Sequence, residues 1–200
     1  MDYYEQHAER LTAEYRAIDP EVVHGAWYAA VIGEGVGTAC DIGAGSGRDA
    51  DWLAERGWDV LAVEPSDALR HRAVARCHPR VHWRSDTLPE LRAVRAMQQQ
   101  YDLLLLSAVW QHLDGLARFQ AMPALRSLLA PGGVLVVSLR HGRNAEENRE
   151  RGFYPLAATE LIELADAQRL SVAFQHSCYD PARDVDWETL VFTHAGVTAA

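Results

Sequence analysis

The stretch from residue 40 to residue 66 reads CDIGAGSGRDADWLAERGWDVLAVEPS, and it decides the fold. Three glycines, Gly43, Gly45 and Gly47, follow an apolar run at every second position. A second apolar run follows a helical segment and ends in the lone acid Glu64. Short apolar runs indicate buried strands, and glycines between a strand and a helix let the backbone approach a ligand. The stretch therefore predicts a strand, a tight loop, a helix and a second strand.

The rest of the chain continues this alternation. Strands are predicted at 38–42, 59–63, 81–84, 101–106, 134–139, 170–177 and 187–193. Helices are predicted at 2–16, 19–32, 48–56, 66–77, 89–99, most of 107–130 and 157–168, with a turn at 131–133 and a loop at 140–152. Alternating strands and helices favour a parallel sheet covered on both faces, whereas the short linker between the last two strands favours an antiparallel pair. The sequence therefore predicts one α/β domain with a seven-stranded, mostly parallel sheet and an antiparallel C-terminal strand.

The composition narrows the classes of function. The chain has 200 residues and a formal net charge of −9, and all nineteen basic residues are arginines. This balance disfavours a nucleic-acid or anionic-membrane footprint and fits a small-molecule ligand. The three cysteines are odd in number and widely spaced, and no apolar run reaches the length of a membrane span. We expect a cytoplasmic protein without a membrane or nucleic-acid partner, and the sequence leaves its oligomeric state open.

The spacing of the glycines and the acid favours a nucleoside ligand. In open α/β sheets, ligands bind outside the carboxyl ends of the strands. Glu64 lies there, seventeen residues beyond Gly47, where a carboxylate can accept two hydrogen bonds from a ribose diol. A dinucleotide fingerprint would need glycine where Arg48 stands, and Asp41 is an awkward neighbour for a pyrophosphate. A tight turn that binds nothing remains the alternative.

Several motifs together resemble class I S-adenosylmethionine-dependent methyltransferases over most of the chain. DIGAGSG with Glu64 is similar to the first two motifs of that family, and Ser85–Thr87 is similar to its adenine-contacting position. YDLLLLSAVWQHL and LLAPGGVLVVS are similar to its fourth-strand and fifth-strand segments. The resemblance implies a Rossmann-like sheet, S-adenosylmethionine as the cofactor and S-adenosylhomocysteine as the product.

The resemblance also implies a set of cofactor-contacting residues. They are Tyr4, Tyr15, Asp41, Gly43, Ala44, Gly45, Gly47, Arg48, Glu64, Pro65, Ser66, Asp86, Thr87, Leu88 and Ser107. In this scheme Glu64 holds the ribose, Asp86 accepts from the adenine amino group, and Asp41 lies near the cofactor's amino group. Residues 1–35 would form lid helices over a Rossmann-like core at 36–200, with Tyr4 and Tyr15 on the lid.

The acceptor side carries fewer signals. No NPPY-like tetrad, Pro-Cys nucleophile or metal-ligand cluster is present, so base methylation and metal-dependent catalysis are disfavoured. His112 is the candidate general base, because it follows the fourth strand and its ordinary pKa suits proton abstraction. Trp110 is a candidate wall of the acceptor pocket or a core residue. Arg140 is a candidate partner for an acidic acceptor, or part of a solvated loop that continues into the charged run NAEENRER.

These patterns predict methyl transfer from S-adenosylmethionine to a small molecule, on oxygen or nitrogen. Two alternatives stay open. One is a nicotinamide-dependent oxidoreductase on a similar sheet, which the glycine spacing and the PGG turn disfavour. The other is a chain that binds the cofactor without catalysis, because no acceptor-side residue is compelling from the sequence alone.

Overall fold

Seven strands form one sheet in the computed structural model, which describes residues 2–196. The strands are β1 (Thr38–Ile42), β2 (Asp59–Val63), β3 (Val81–Arg84), β4 (Tyr101–Ser107), β5 (Leu129–Gly142), β6 (Leu170–Asp180) and β7 (Val185–His194). Their order is β3-β2-β1-β4-β5-β7-β6, and β7 runs antiparallel to both of its neighbours. The first five strands pair in parallel. The predicted fold class, including the antiparallel C-terminal strand, is confirmed.

The described chain contains nine α-helices, of which the first three precede β1. They are α1 (Asp2–Gln6), α2 (Ala8–Arg16), α3 (Pro20–Trp27), α4 (Arg48–Glu55), α5 (Asp67–Val74), α6 (Arg92–Arg95), α7 (Gly115–Leu128), α8 (Ala145–Glu150) and α9 (Ala158–Asp166). A π-helical turn, Tyr28–Ile32, continues α3, and a 3₁₀ turn, Trp110–His112, follows β4. Among residues 2–196, no helix is long and apolar enough to cross a membrane.

The hydrophobic core lies on both faces of the sheet. Alternate residues of a strand point to opposite faces, so Ala39 and Cys40 of β1 belong to different clusters. The cluster that contains Ala39 includes Trp27 of α3 and residues of α4. The cluster that contains Cys40 includes Met122 of α7 and Leu161 of α9. Helices therefore cover both faces, as the apolar runs of the central strands predict.

The order of the central strands creates a crevice. Strand β1 pairs with β2 through Ile42 and Val63 and, on its other side, with β4 through Asp41 and Leu105. The chain leaves β1 and β4 toward opposite sides of the sheet, so their loops diverge at the carboxyl edge. The backbone N–H groups of Gly43 and Ala44 both donate to the Val63 carbonyl, at 2.8 and 3.0 Å. These bonds fix the glycine loop against the end of β2.

Three predicted helices differ in extent. The N-terminal helix is broken at His7 into α1 and α2. The segment 89–99 contains only the single turn of α6, because Leu91 is buried in a left-handed conformation with φ 49°. In the segment 107–130, the 3₁₀ turn at Trp110–His112 is separate from α7, which begins at Gly115 and continues through Pro123.

The fifth strand is longer than predicted, and the segment predicted as the following loop contains a helix. Strand β5 starts at Leu129 and contains the PGG turn as an irregularity, where the register with β4 shifts between Tyr101 and Leu103. It runs on to Gly142, and α8 follows in the segment predicted as a loop. The side chain of Asn144 accepts from the N–H groups of Glu146 and Glu147 and so caps α8.

Candidate active site

A cleft of about 1530 Å³ opens at the carboxyl ends of β1, β2 and β4. Pockets for single drug-sized ligands measure about 300–1,000 Å³, so this cleft has room for two molecules. Most of the predicted site residues line it: Tyr4, Tyr15, Gly43, Ala44, Gly45, Arg48, Glu64, Pro65, Asp86, Thr87, Leu88, Ser107, His112 and Arg140. Four predicted residues, Asp41, Gly47, Ser66 and Trp110, lie outside its lining.

The glycine loop has one residue that faces the cleft and one that packs against the fold. Gly45 has φ 54°, and a Cβ built on it would meet the Tyr15 ring at 3.7 Å. Gly47 has φ 74°, and its Cβ would lie 2.5 Å from the Cys77 sulfur and 2.9 Å from the Trp83 ring. Both conformations disfavour other residues, but for Gly47 the packing adds a second reason. Gly47 therefore acts on the position of the loop from outside the cleft.

Glu64 is fixed at the mouth of the loop. Its two carboxylate oxygens accept from the backbone N–H groups of Gly45 and Ser66, each at 2.8 Å. The side chain is 5 % exposed, and burial raises the pKa of Glu64 although the two backbone bonds oppose that shift. A carboxylate has about four lone-pair positions. Glu64 can therefore accept further hydrogen bonds from a ligand in the cleft without losing those that orient it.

A buried group of charges lies beneath the loop. Arg48 donates to both carboxylate oxygens of Asp49, at 2.6 and 2.8 Å, and His24 Nε2 lies 3.1 Å from Asp49 Oδ1. Trp27 donates to His24 Nδ1 at 3.1 Å, so the His24 proton is on Nε2, toward Asp49. Burial works against ionisation of Asp49, but His24 and Arg48 outweigh it and lower its pKa. Helix α3 is thereby tied to the first turn of α4.

Asp41 does not line the cleft. It points to the same sheet face as Ala39, under α4, and is 1 % exposed. Within residues 2–196 neither of its carboxylate oxygens has a hydrogen-bond partner. Burial and the nearby charge of Asp49 raise its pKa well above the ordinary value. The residue therefore belongs to the buried layer beneath the loop, and its place near the cofactor's amino group stays a prediction.

Two further predicted residues mainly shape the cleft wall. The carboxylate of Asp86 accepts from the N–H groups of Thr87 and Val94, both at 2.9 Å, and this closes the loop after β3. Ser66 is 1 % exposed and caps α5 by accepting from Leu69 N–H at 3.2 Å. Asp86 still faces the cleft, whereas Ser66 supports it through the backbone bond to Glu64.

The opposite half of the cleft is organised by Arg151, which belongs to the charged run predicted to be a solvated loop. Its NH2 donates to the hydroxyl oxygens of Tyr4 and Tyr15, at 3.1 and 2.8 Å. Its NH1 donates to Glu147 Oε1 at 2.8 Å, and Arg140 donates to Glu147 Oε2 at the same distance. Hydrogen bonds and charges from the two arginines outweigh burial and lower the pKa of Glu147. The Asn144 cap and the i,i+4 spacing of Glu147 and Arg151 are the sequence signals that favour a helix here.

His112 lies at the centre of this half. Its Nε2 is 3.0 Å from the hydroxyl oxygen of Tyr4, and its ring packs edge-on against Phe153 at 4.8 Å. Burial, with the charges of Arg151 and Arg140, lowers the pKa of His112 to about 4. The imidazole is therefore neutral at neutral pH.

The two predicted acceptor-side residues have different positions. Trp110 is fully buried in the main core cluster, so its ring does not wall the cleft and the core interpretation holds. Arg140 lines the cleft but is only 8 % exposed, so it does not belong to a solvated loop. It donates to Glu147 and Asn148 and lies over the Phe153 ring at 5.2 Å.

Comparisons with known proteins agree on one family. Residues 14–189 match the family model described as "Methyltransferase domain". The fold is similar to the N-methyltransferase NodS from Bradyrhizobium japonicum WM9 in complex with S-adenosylhomocysteine, with a TM-score of 0.75, 20% identity and coverage of 95% of this chain and 97% of that one. It is also similar to the 1,6-didemethyltoxoflavin-N1-methyltransferase from Burkholderia thailandensis, with a TM-score of 0.65, 18% identity and coverage of 96% and 79%. No curated protein sequence matches the chain significantly.

We expect Gly47→Ala to destabilise the fold more than Gly132→Ala. Both glycines have positive φ, 74° and 79°, so each alanine incurs a backbone cost of about 1–2 kcal/mol. Among the described residues, none lies within 4 Å of a Cβ at Gly132, whereas Gly47 adds overpacking of about 1–3 kcal/mol against Cys77 and Trp83. Urea unfolding of both variants measures the difference. Equal losses would show that the Cys77 and Trp83 side chains move aside freely.

We expect Arg151→Met to loosen the N-terminal helices. The change removes charge-assisted hydrogen bonds to Tyr4 and Tyr15, and each such bond contributes about 1.5–3 kcal/mol. Amide hydrogen exchange of α2 should accelerate at least tenfold. Arg149→Met, at an exposed residue of α8 two positions away, is the matched control and should leave exchange unchanged. Unchanged exchange in Arg151→Met would show that apolar packing of α2 against α5 is sufficient to hold the helices.

Proposed function

This chain belongs to the methyltransferase-domain family and is an S-adenosylmethionine-dependent methyltransferase, and we propose that its cleft binds the methyl donor at the glycine loop and a small-molecule acceptor beneath the N-terminal helices. The two halves of the cleft differ in chemistry. Backbone amides, Glu64 and Asp86 surround the loop, whereas Arg140, Arg151 and His112 surround the other half.

Glu64 is the main support for this proposal, because its orientation is fixed before any ligand binds. Both of its oxygens accept from backbone N–H groups, and both keep lone pairs that a ribose diol can use. A Cβ at Gly45 would lie 3.7 Å from the Tyr15 ring, so the glycine keeps this side of the loop free of a side chain. Asp86, Thr87 and Leu88 suit the adenine, and Arg48, Ala44 and Ser107 suit the methionine part. This donor set fits a nucleoside with an amino-acid tail.

S-adenosylmethionine supplies a methyl group on a positively charged sulfur, which keeps the C–S electron pair when the acceptor's lone pair takes the methyl. The chain's own contribution is to align the acceptor and to remove its proton. Orienting two reactants in one cleft accounts for a large part of such rate enhancements. Tyr4 and Tyr15, which line the cleft, can exclude water from it, so we propose residues 1–35 as a lid on a core at 36–200.

His112 is the proposed general base. It is neutral at neutral pH, it lines the cleft, and its Nε2 lies within hydrogen-bond distance of a hydroxyl group, 3.0 Å from the Tyr4 oxygen. A proton taken from the acceptor would place a positive charge between Arg151 and Arg140, so the imidazolium is a short-lived state that returns its proton to solvent.

The net charge of the chain supports a small-molecule acceptor, and its free cysteines support a cytoplasmic location. A net charge of −9 favours a small molecule over nucleic acid. Cys40, Cys77 and Cys178 are free thiols, which suits a reducing compartment, and we propose a cytoplasmic location.

We expect Glu64→Gln to weaken S-adenosylmethionine binding about 10- to 150-fold, because charge-assisted hydrogen bonds to the ribose contribute about 1.5–3 kcal/mol. Calorimetric titration of the purified chain with the donor and with S-adenosylhomocysteine measures the loss. Asp67→Asn, an exposed carboxylate three residues away, is the control and should bind normally. An unchanged dissociation constant in Glu64→Gln would remove the ribose assignment.

We expect the His112 ring to titrate near pH 4, since burial and the charges of Arg151 and Arg140 disfavour the imidazolium. Its neutral form then persists as the pH falls through 6.5 and is lost only near 4. NMR of ¹³C-labelled histidine measures this midpoint without any acceptor. Arg151→Met should raise the midpoint toward the ordinary value, and Arg149→Met should not. A midpoint near 6.5 in the unmodified chain would show that the ring is hydrated.

A further inference from the structure

The hydroxyl of Tyr4 lies between two fixed partners. Arg151 reaches its oxygen through NH2 at 3.1 Å and Nε at 3.3 Å, and His112 Nε2 lies 3.0 Å away on the other side. A guanidinium can only donate, so the Tyr4 oxygen accepts from Arg151. The Tyr4 proton is donated to His112 Nε2 in the tautomer whose imidazole carries its own proton on Nδ1. In that tautomer the three groups form a directed chain from Arg151 through Tyr4 to His112.

The hydrogen-bonding groups of Arg151 and His112 determine which kind of atom can bind between them. The site offers one donor, Arg151, and one acceptor, His112, to the same position. A hydroxyl matches both and keeps a second lone pair. A neutral amine would use its one lone pair on Arg151, and a protonated amine would be repelled by that charge. A carboxylate would satisfy Arg151 but would have no proton for His112.

We propose that Tyr4 occupies the place of the methyl acceptor's reacting group, and that the acceptor is a phenol or an enol whose hydroxyl binds between Arg151 and His112. This inference rests on the proposed function and assigns oxygen as the methylated atom. An aromatic ring fits the surroundings, because Phe153 packs against His112 at 4.8 Å and beneath Arg151 at 4.8 Å. Under this proposal Tyr4 belongs to the acceptor half of the cleft, and not to the set of residues that contact the methyl donor.

In the proposed methyl transfer, each proton and each electron pair has a defined destination. The acceptor's O–H proton passes to His112 Nε2, and one oxygen lone pair accepts from Arg151 while the other forms the bond to the methyl carbon. Negative charge that develops on the oxygen faces the Arg151 guanidinium, which favours a weakly acidic hydroxyl. The sulfur of the donor keeps the electron pair of the broken C–S bond.

Tyr4 can vacate this place. It lies on α1, which has five residues and is separated from α2 at His7. A helix of this length has little stability of its own and depends on its contacts. A phenolic acceptor would therefore replace the Tyr4 ring and take over the same two hydrogen bonds.

The test uses p-cresol, which has the structure of a tyrosine side chain, and the variant Tyr4→Ala. Calorimetry on the full chain saturated with S-adenosylhomocysteine compares p-cresol, p-toluidine and toluene. We expect p-cresol to bind Tyr4→Ala at least tenfold more tightly than the unmodified chain, and at least tenfold more tightly than toluene. Tyr15→Ala is the matched control, because the Tyr15 hydroxyl also accepts from Arg151 but has its own place away from His112. It should gain no such preference.

Each result decides the inference. Equal binding of p-cresol and toluene to Tyr4→Ala overturns it, and a preference for p-toluidine overturns it in favour of an amine acceptor. Should Tyr4→Ala not fold, Tyr4→Leu keeps an apolar side chain on α1 and is read in the same way. Saturation with S-adenosylhomocysteine is itself measured first, so its failure contradicts the proposed function, whereas normal saturation without p-cresol binding contradicts only the hydroxyl assignment. Formation of 4-methylanisole from p-cresol and S-adenosylmethionine by Tyr4→Ala would support both.

Discussion

The parallel pairing of β1 with β2 on one side and β4 on the other is the constraint on which the cleft depends. Parallel strands leave the sheet at the same edge, and the reversal of strand order at β1 sends the two following segments apart. The backbone groups of the glycine loop leave the sheet at this edge and still need hydrogen-bond partners. Gly43 and Ala44 donate to the last carbonyl of β2, and Gly45 donates to the carboxylate of Glu64. The loop is therefore paired while the gap between β1 and β4 stays open as a site.

The second half of the cleft is set by the need to pair buried arginines. Arg140 and Arg151 share the carboxylate of Glu147, so two positive charges face one negative charge in a poorly hydrated space. Burial and the remaining positive field keep His112 neutral, and the field makes hydroxyl oxygens favourable neighbours. Tyr4 and Tyr15 supply such oxygens from the N-terminal helices. The charge imbalance thus helps to hold the helices and to keep the histidine unprotonated at neutral pH.

Local patterns predicted the sheet and the donor half, because each of their determinants lies within a few residues of the next along the chain. The strand of apolar residues, the glycines and Glu64 are all contained in 27 residues. In the other half, the sequence offered His112 and Arg140 as candidates but not Arg151, which contacts Tyr4 across 147 positions of sequence. A charged run such as 144–151 is solvated in most proteins, and only tertiary contact shows that one of its arginines is not. Asp41 and Trp110 were candidates for the cleft but are buried outside its lining, for a related reason. The sequence indicates at which end of a strand a residue lies. The packing of α4 and α7 decides whether that residue faces the cleft or the core.

The difference between local patterns and tertiary contacts also explains why the fold can be predicted from the sequence more readily than the acceptor. A structure that shares 18% identity with this chain has a similar architecture, and it is described as an N1-methyltransferase. The architecture alone does not determine the acceptor atom, because the sheet does not fix which side chains meet the acceptor. The acceptor atom depends on which donors and acceptors converge beyond it, and here one guanidinium and one neutral imidazole converge on a single hydroxyl. In the proposal made above, two such partners distinguish oxygen from nitrogen by the number of lone pairs, a distinction that the sheet cannot make.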